Sequence, residues 1–163
     1  MTGEPADGFA VLEAIEAVKA LKHRYWRACD GKDPAGFRSC FVTRGAVVDY
    51  GRLGAFDDVE PMAAIFERVA LARVDGRYAV LDMHHGANPE ITVLGPGRAR
   101  GRWSLQFRQI NTVARTDTVT VGEYDDEYVV EDGQWRMAVC RFVERWSVSR
   151  PLGTDEQIVE GTF

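Results

Sequence analysis

The chain has 163 residues, enough for one domain whose core needs no disulfide or metal staple. Its 45% apolar and 28% charged residues are the balance of an ordinary globular protein. Twenty basic against 25 acidic residues leave a net charge of −5, which argues against nucleic acid or an anionic membrane as the main partner.

A short polar leader, residues 1–8, is expected to be disordered. In the stretch that follows, Val11, Ala14, Ile15, Val18, Leu21, Tyr25 and Cys29 recur at three- and four-residue steps, which predicts an amphipathic helix over 9–29. Gly31 is suited to the position just past a helix C-terminus, and Asp33-Pro34 to the N-cap and first turn of a second helix over 34–40. Asp30 then sits at the negative end of the first helix dipole, where a carboxylate is disfavoured by up to about 1 kcal/mol. A broken local rule beside a buried stripe marks either a solvated turn residue or a functional one.

Residues 45–50 predict a short strand, and 51–54 a glycine-rich turn. A third helix over 59–72, N-capped by Asp57 or Asp58, carries the stripe Met62, Ile65, Phe66 and Val69. The remainder reads as strands at 78–85, 89–94, 99–111, 116–130 and 134–148. Asp132-Gly133 is a type I′ hairpin signal. On 99–111 the alternation puts Trp103, Leu105 and Phe107 on one face and Arg100, Arg102, Ser104, Gln106 and Arg108 on the other. Helices followed by a meander give an α+β class: one domain over 9–150 with a polar tail over 151–163.

Cys29, Cys40 and Cys140 are odd in number, lack metal-ligand spacing and lie in apolar patterns, so they read as buried thiols in a reducing compartment. The acidic N-terminus lacks a signal-peptide run and no stretch is long enough to span a membrane. The expected location is the cytoplasm. His84 and His85 fall on a strand, so their side chains take opposite faces and at most one enters a pocket under the sheet. Imidazole suits proton transfer near neutral pH, and a carboxylate partner fixes its tautomer. Read from their pairing alone, each is equally an ordinary polar strand residue. No serine has a nucleophile-elbow context, His84-His85 alone is a poor metal site, and Gly95-Pro96-Gly97 reads as a turn. The strand aromatics, including Trp103, Phe107, Tyr124, Tyr128, Trp135 and Trp146, read as core.

Beyond these patterns the chain resembles the nuclear transport factor 2-like superfamily, and within it the SnoaL-like branch of dehydratases and dehydrochlorinases, most nearly its bile acid 7α-dehydratases. The resemblance rests on residues 20–32 with Tyr25, Trp26 and Asp30, on Met83, His84 and His85 with the residues to Ile91, on Gly101 to Leu105, on Tyr124 to Tyr128, and on Gly133 to Trp135. It implies a cone of curved, mostly antiparallel mixed sheet around a long first helix, enclosing a pocket, and assembly as a homodimer or homotrimer. It further implies a His–Asp dyad of His84 and Asp30, with Tyr25 as acid or hydrogen-bond donor, and no cofactor. Trp26, Tyr50, Trp103, Phe107, Tyr124 and Glu144 are expected to contact the substrate. The branch's additional acid falls on Phe107 here, beside Gln106, and its last-strand arginine on Glu144, with Arg141 and Arg145 nearby. The tail over 151–163 is expected to cover the pocket mouth.

The reading that follows is a lyase or isomerase acting on an apolar, carbonyl-bearing cyclic or steroid-like molecule. A noncatalytic binding module of the same fold, or a scaffold of the ring-dioxygenase small-subunit type, is the alternative. In that alternative His84 has no reason to touch Asp30.

Overall fold

The computed structural model describes residues 8–161. In chain order it contains α1 (Gly8–Asp30), α2 (Pro34–Ser39), β1 (Val47–Asp49), a 3-10 turn (Gly51–Leu53), β2 (Ala55–Phe56) and α3 (Glu60–Ala70). A small hairpin of β3 (Arg73–Val74) and β4 (Arg77–Tyr78) precedes four long strands, β5 (Val80–Gly95), β6 (Arg98–Asn111), β7 (Thr116–Glu131) and β8 (Gln134–Pro151). The main sheet runs β2-β1-β8-β7-β6-β5, antiparallel throughout except where β1 lies parallel to β8. Register shifts at Ala87/Glu90, Val121/Gly122 and Glu127/Tyr128 mark bulges, which bend the long strands and curl the sheet around α1. This is the α+β class expected from the pattern, in the cone form that the resemblance implies.

The stripe on α1 faces that curve. Val18, Leu21 and Tyr25 are fully enclosed against Leu105, Tyr124, Met137 and Cys140, all in one core cluster. Each buried aliphatic side chain of this kind contributes about 1.5–3 kcal/mol. The second helix starts as expected, with Asp33 accepting from the Gly36 amide at 2.9 Å and Pro34 in the first turn. At the Asp132-Gly133 hairpin both φ values are positive, 49° and 74°, as a type I′ turn requires.

Several local expectations are corrected. The left-handed residue after α1 is Lys32 (φ 57°), not Gly31; the Gly31 amide instead closes back on the Arg27 carbonyl at 2.8 Å. The third helix starts after Val59, and Asp58 accepts from the Glu60 amide (2.8 Å) without occupying the N-cap. The two strands predicted at 78–85 and 89–94 are one strand, β5, bulged around Asn88 (φ 52°). Pro89 is tolerated there because β5 is an edge strand and the bulge already interrupts the ladder. Trp146 is not core: it is 53% exposed, on the exposed second half of β8.

The leader lies outside the described residues except for Gly8, which opens α1. In the C-terminal tail, the Arg115 guanidinium donates to the carbonyls of Gly153 and Glu156. The Tyr78 amide donates to the Glu160 carboxylate at 3.0 Å. Those contacts hold the tail against the β6–β7 turn and β4, over a groove separate from the cavity described next. Among the described residues, no helix is long and apolar enough to cross a membrane.

Candidate active site

Asp30 is the last residue of α1, and the helix places it against the free side of edge strand β5. There it accepts from the backbone amide of His84 with both oxygens at 3.1 Å, and its Oδ1 lies 2.6 Å from His84 Nδ1. These bonds offset the unfavourable helix-end position of the carboxylate. A carboxylate at this position favours the tautomer that carries the proton on Nδ1, which leaves Nε2 with the free lone pair. His85, the next residue, is exposed on the other face.

His84 forms part of the wall of a cavity of about 290 Å3, at the small end of the usual range for ligand sites. Strands β5, β6 and β7 supply one wall in cross-strand rows. Asp82 stands opposite Gln109, and His84 opposite Phe107, which in turn stands opposite Thr120. The His84 and Phe107 rings are 4.7 Å apart. Helix α3 supplies an apolar wall through Met62, Ile65, Phe66 and Val69, the stripe read from its period.

The remaining wall is phenolic. Tyr25, Tyr50 and Tyr124 all line it, and the hydroxyls of Tyr25 and Tyr50 share a hydrogen bond. Tyr50 also reaches Cys140 Sγ at 3.5 Å. Burial pushes all three phenols well above their ordinary value, so each stays protonated and able to donate. Burial likewise pushes the Cys140 thiol up to about 12, which makes it an inert neighbour rather than a nucleophile.

The structure thus gathers His84, Tyr25, Tyr50, Phe107 and Tyr124 around one space, with Asp30 behind His84. Trp26, Trp103 and Glu144 do not line it. Trp26 turns away from Tyr25 around the helix and fills the room left by Gly86, where a Cβ would come within 1.9 Å of the indole. Trp103 lies four residues down β6 from Phe107, packed edge-on to Trp26 at 5.3 Å and donating to the Tyr128 hydroxyl at 3.0 Å. Glu144 precedes a bulge and pairs with Arg52 at 2.5 Å. Arg145 pairs outward with Glu123 at 2.6 Å and Arg141 is exposed, so neither replaces the absent arginine inside the cavity.

Two charged pairs escaped the sequence reading. Lys22 and Asp126 form a fully buried ion pair at 2.7 Å. The ammonium lies 3.5 Å from the Tyr124 ring centroid, and Tyr128 donates to the carboxylate at 2.8 Å. Nearer His84, Lys32 Nζ lies 3.5 Å from Asp82 Oδ1, with both side chains largely enclosed. Alternation held the signal for Asp126, which shares a strand face with Tyr124 and Tyr128, and for Asp82, which shares one with His84. Among the described residues, no group of three or more His, Cys, Asp or Glu is placed to hold a metal ion.

Comparison with known proteins agrees with this architecture. Similar folds include a candidate scytalone dehydratase from Novosphingobium aromaticivorans, 20% identical with a TM-score of 0.74 over 89% of this chain and 97% of that one. A type 3 hexachlorocyclohexane dehydrochlorinase from Novosphingobium barchaimii is 14% identical, with a TM-score of 0.74 over 92% and 97%. A candidate aromatic ring hydroxylase from Novosphingobium aromaticivorans is 17% identical, with a TM-score of 0.72 over 85% and 94%. At these identities the likeness establishes the fold alone. A sequence profile of the SnoaL-like domain matches residues 10–141, and the chain therefore belongs to the SnoaL-like family.

Proposed function

We propose that the protein is a cofactor-independent lyase of dehydratase type, or an isomerase, acting on a small carbonyl-bearing cyclic molecule. The observation that carries this reading is the 2.6 Å bond from His84 Nδ1 to Asp30 at the wall of a largely apolar cavity. His84 Nε2 takes the proton from a carbon that the substrate carbonyl already acidifies. The electron pair moves toward that carbonyl, and Asp30 stabilises the imidazolium that forms.

In an elimination the pair then expels the leaving group from the adjacent carbon, and Tyr25, a protonated phenol, donates to the departing oxygen. In an isomerisation the proton returns to a different carbon. The enclosed apolar surroundings strengthen both the Asp30–imidazolium attraction and the phenol hydrogen bond. A cavity of 290 Å3 favours one- or two-ring molecules over four-ring steroids. Three free thiols, all buried, support a reducing, cytoplasmic setting. A homodimer or homotrimer is part of the proposal, supported by Val143, Trp146 and Val148, which are each about half exposed on the outer part of β8. A noncatalytic binding or scaffold role leaves the Asp30–His84 bond without a purpose at the cavity wall.

The test is enzyme-dependent deuterium exchange at the α-carbon of a panel of cyclic ketones in heavy water, followed by proton NMR. The wild-type protein should exchange at least one ketone, and His84→Ala and Asp30→Asn should each lose that exchange while remaining folded. Retention of full exchange by both variants would dismiss the dyad.

A further inference from the structure

One end of the cavity wall is charged, and the proton-transfer chemistry does not use it. Asp82 lies two residues before His84 on the same face of β5, so the two side chains enter the cavity about 7 Å apart. Directly across on β6 stands Gln109, also on the cavity wall. Lys32 supports Asp82 from behind, at 3.5 Å. Burial pushes the Asp82 carboxyl up from the ordinary range, and Lys32 is the largest influence drawing it back. A carboxylate in this setting is a strong acceptor with unused capacity toward the cavity.

A carboxylate sitting in a cavity wall costs stability unless something donates to it. Lys32 approaches Asp82 Oδ1 at 3.5 Å, and that buried oxygen still lacks a hydrogen-bond partner. The hydroxyls of Tyr25 and Tyr50 bond to each other, and a ligand hydroxyl can supply the donor. We infer that Asp82 and Gln109 form a recognition subsite for a hydroxyl group on the ring distal to the acidified carbon, which makes the preferred substrate a hydroxylated one- or two-ring ketone. Asp82 accepts from that hydroxyl, and the Gln109 amide donates to its oxygen. The 7 Å offset from His84 fits a molecule whose acidic carbon and hydroxyl lie at opposite ends of two fused rings. Filled at interior packing density of about 0.75, the 290 Å3 space holds one such molecule.

This subsite rests on the proposed proton abstraction for the ligand's orientation but not for its affinity, so a binding measurement separates the two. The experiment is isothermal titration of the full chain with 1-indanone and with 5-hydroxy-1-indanone, a pair differing only in the distal hydroxyl. The wild-type protein should bind the hydroxylated ketone at least about tenfold more tightly, the effect of one hydrogen bond to a charged group. In Asp82→Leu/Lys32→Met, which removes both charges together, the preference of the hydroxylated over the plain ketone should fall to about onefold. Equal wild-type binding of the two ketones, binding of neither, or a preference that survives in the double variant overturns the inference. A tenfold preference without deuterium exchange would leave the subsite standing and remove the lyase reading. Exchange without preference would do the reverse.

Discussion

Two acid–base pairs join α1 to the sheet, and they differ in what water can reach. Lys22–Asp126 is wholly sealed, its ammonium against the Tyr124 ring and its carboxylate held by Tyr128. Asp30–His84 retains 21% and 14% side-chain exposure and fronts the cavity. A sealed ion pair cannot change its protonation without stranding a charge, so it fixes the packing between helix and sheet. A pair at a cavity wall stays within reach of solvent and of a bound ligand. Burial therefore separates a pair that can only brace the packing from the one proposed to transfer protons, although both join a basic to an acidic side chain across the same helix–sheet interface.

The contrast breaks most visibly at His84. Its replacement by alanine should reduce exchange or turnover by about 10²–10⁴-fold, with the melting temperature nearly unchanged. Asp126→Ala should do the opposite. Stranding Lys22 in the core should cost about 3–5 kcal/mol and lower the melting temperature by on the order of 10 °C, read by calorimetry. If Lys22→Met/Asp126→Leu does not recover most of that loss, the pair is more than a packing element. Tyr25→Phe sharpens the comparison from the cavity side. It should reduce turnover by only about tenfold, the worth of one hydrogen bond, because Tyr50 remains beside it.

The smallest effect concerns pairs outside both regions. Arg108, and after it Arg150, holds the Asp117 carboxyl below the usual range. The stabilisation from a lowered carboxyl is complete above the unfolded value of about 4 and is lost as pH falls through the lower folded value. Melting temperature should therefore be level from pH 7 to 5 and decline below about 4, and Asp117→Asn should shallow that decline.

The helical stripe from Val18 to Cys29 and the Asp132-Gly133 turn were legible because each is a local pattern with one structural solution. Asp30 drew notice as a carboxylate at the wrong end of a dipole, and the structure shows the amide and imidazole that hold it there. The cavity's limits were not legible. Trp26 differs from Tyr25 by one helical step, yet whether a ring enters a cavity or fills a gap depends on Gly86, sixty residues away. Trp103 and Phe107 share a strand face, and only the depth of the cavity floor separates core from lining. Lys22 was hidden for a different reason: a lysine inside an apolar stripe looks like a snorkelling surface residue until its distant carboxylate is known.

Strand β5 ends the sheet, and an unguarded border strand invites pairing with another chain. The α1 carboxylate that grips the His84 amide occupies one of the donors such a neighbour would need. The same side chain that bonds the imidazole thus also covers part of the sheet's open edge. An asparagine at position 30 would keep that cover while losing the proposed proton transfer, whereas an alanine would forfeit both.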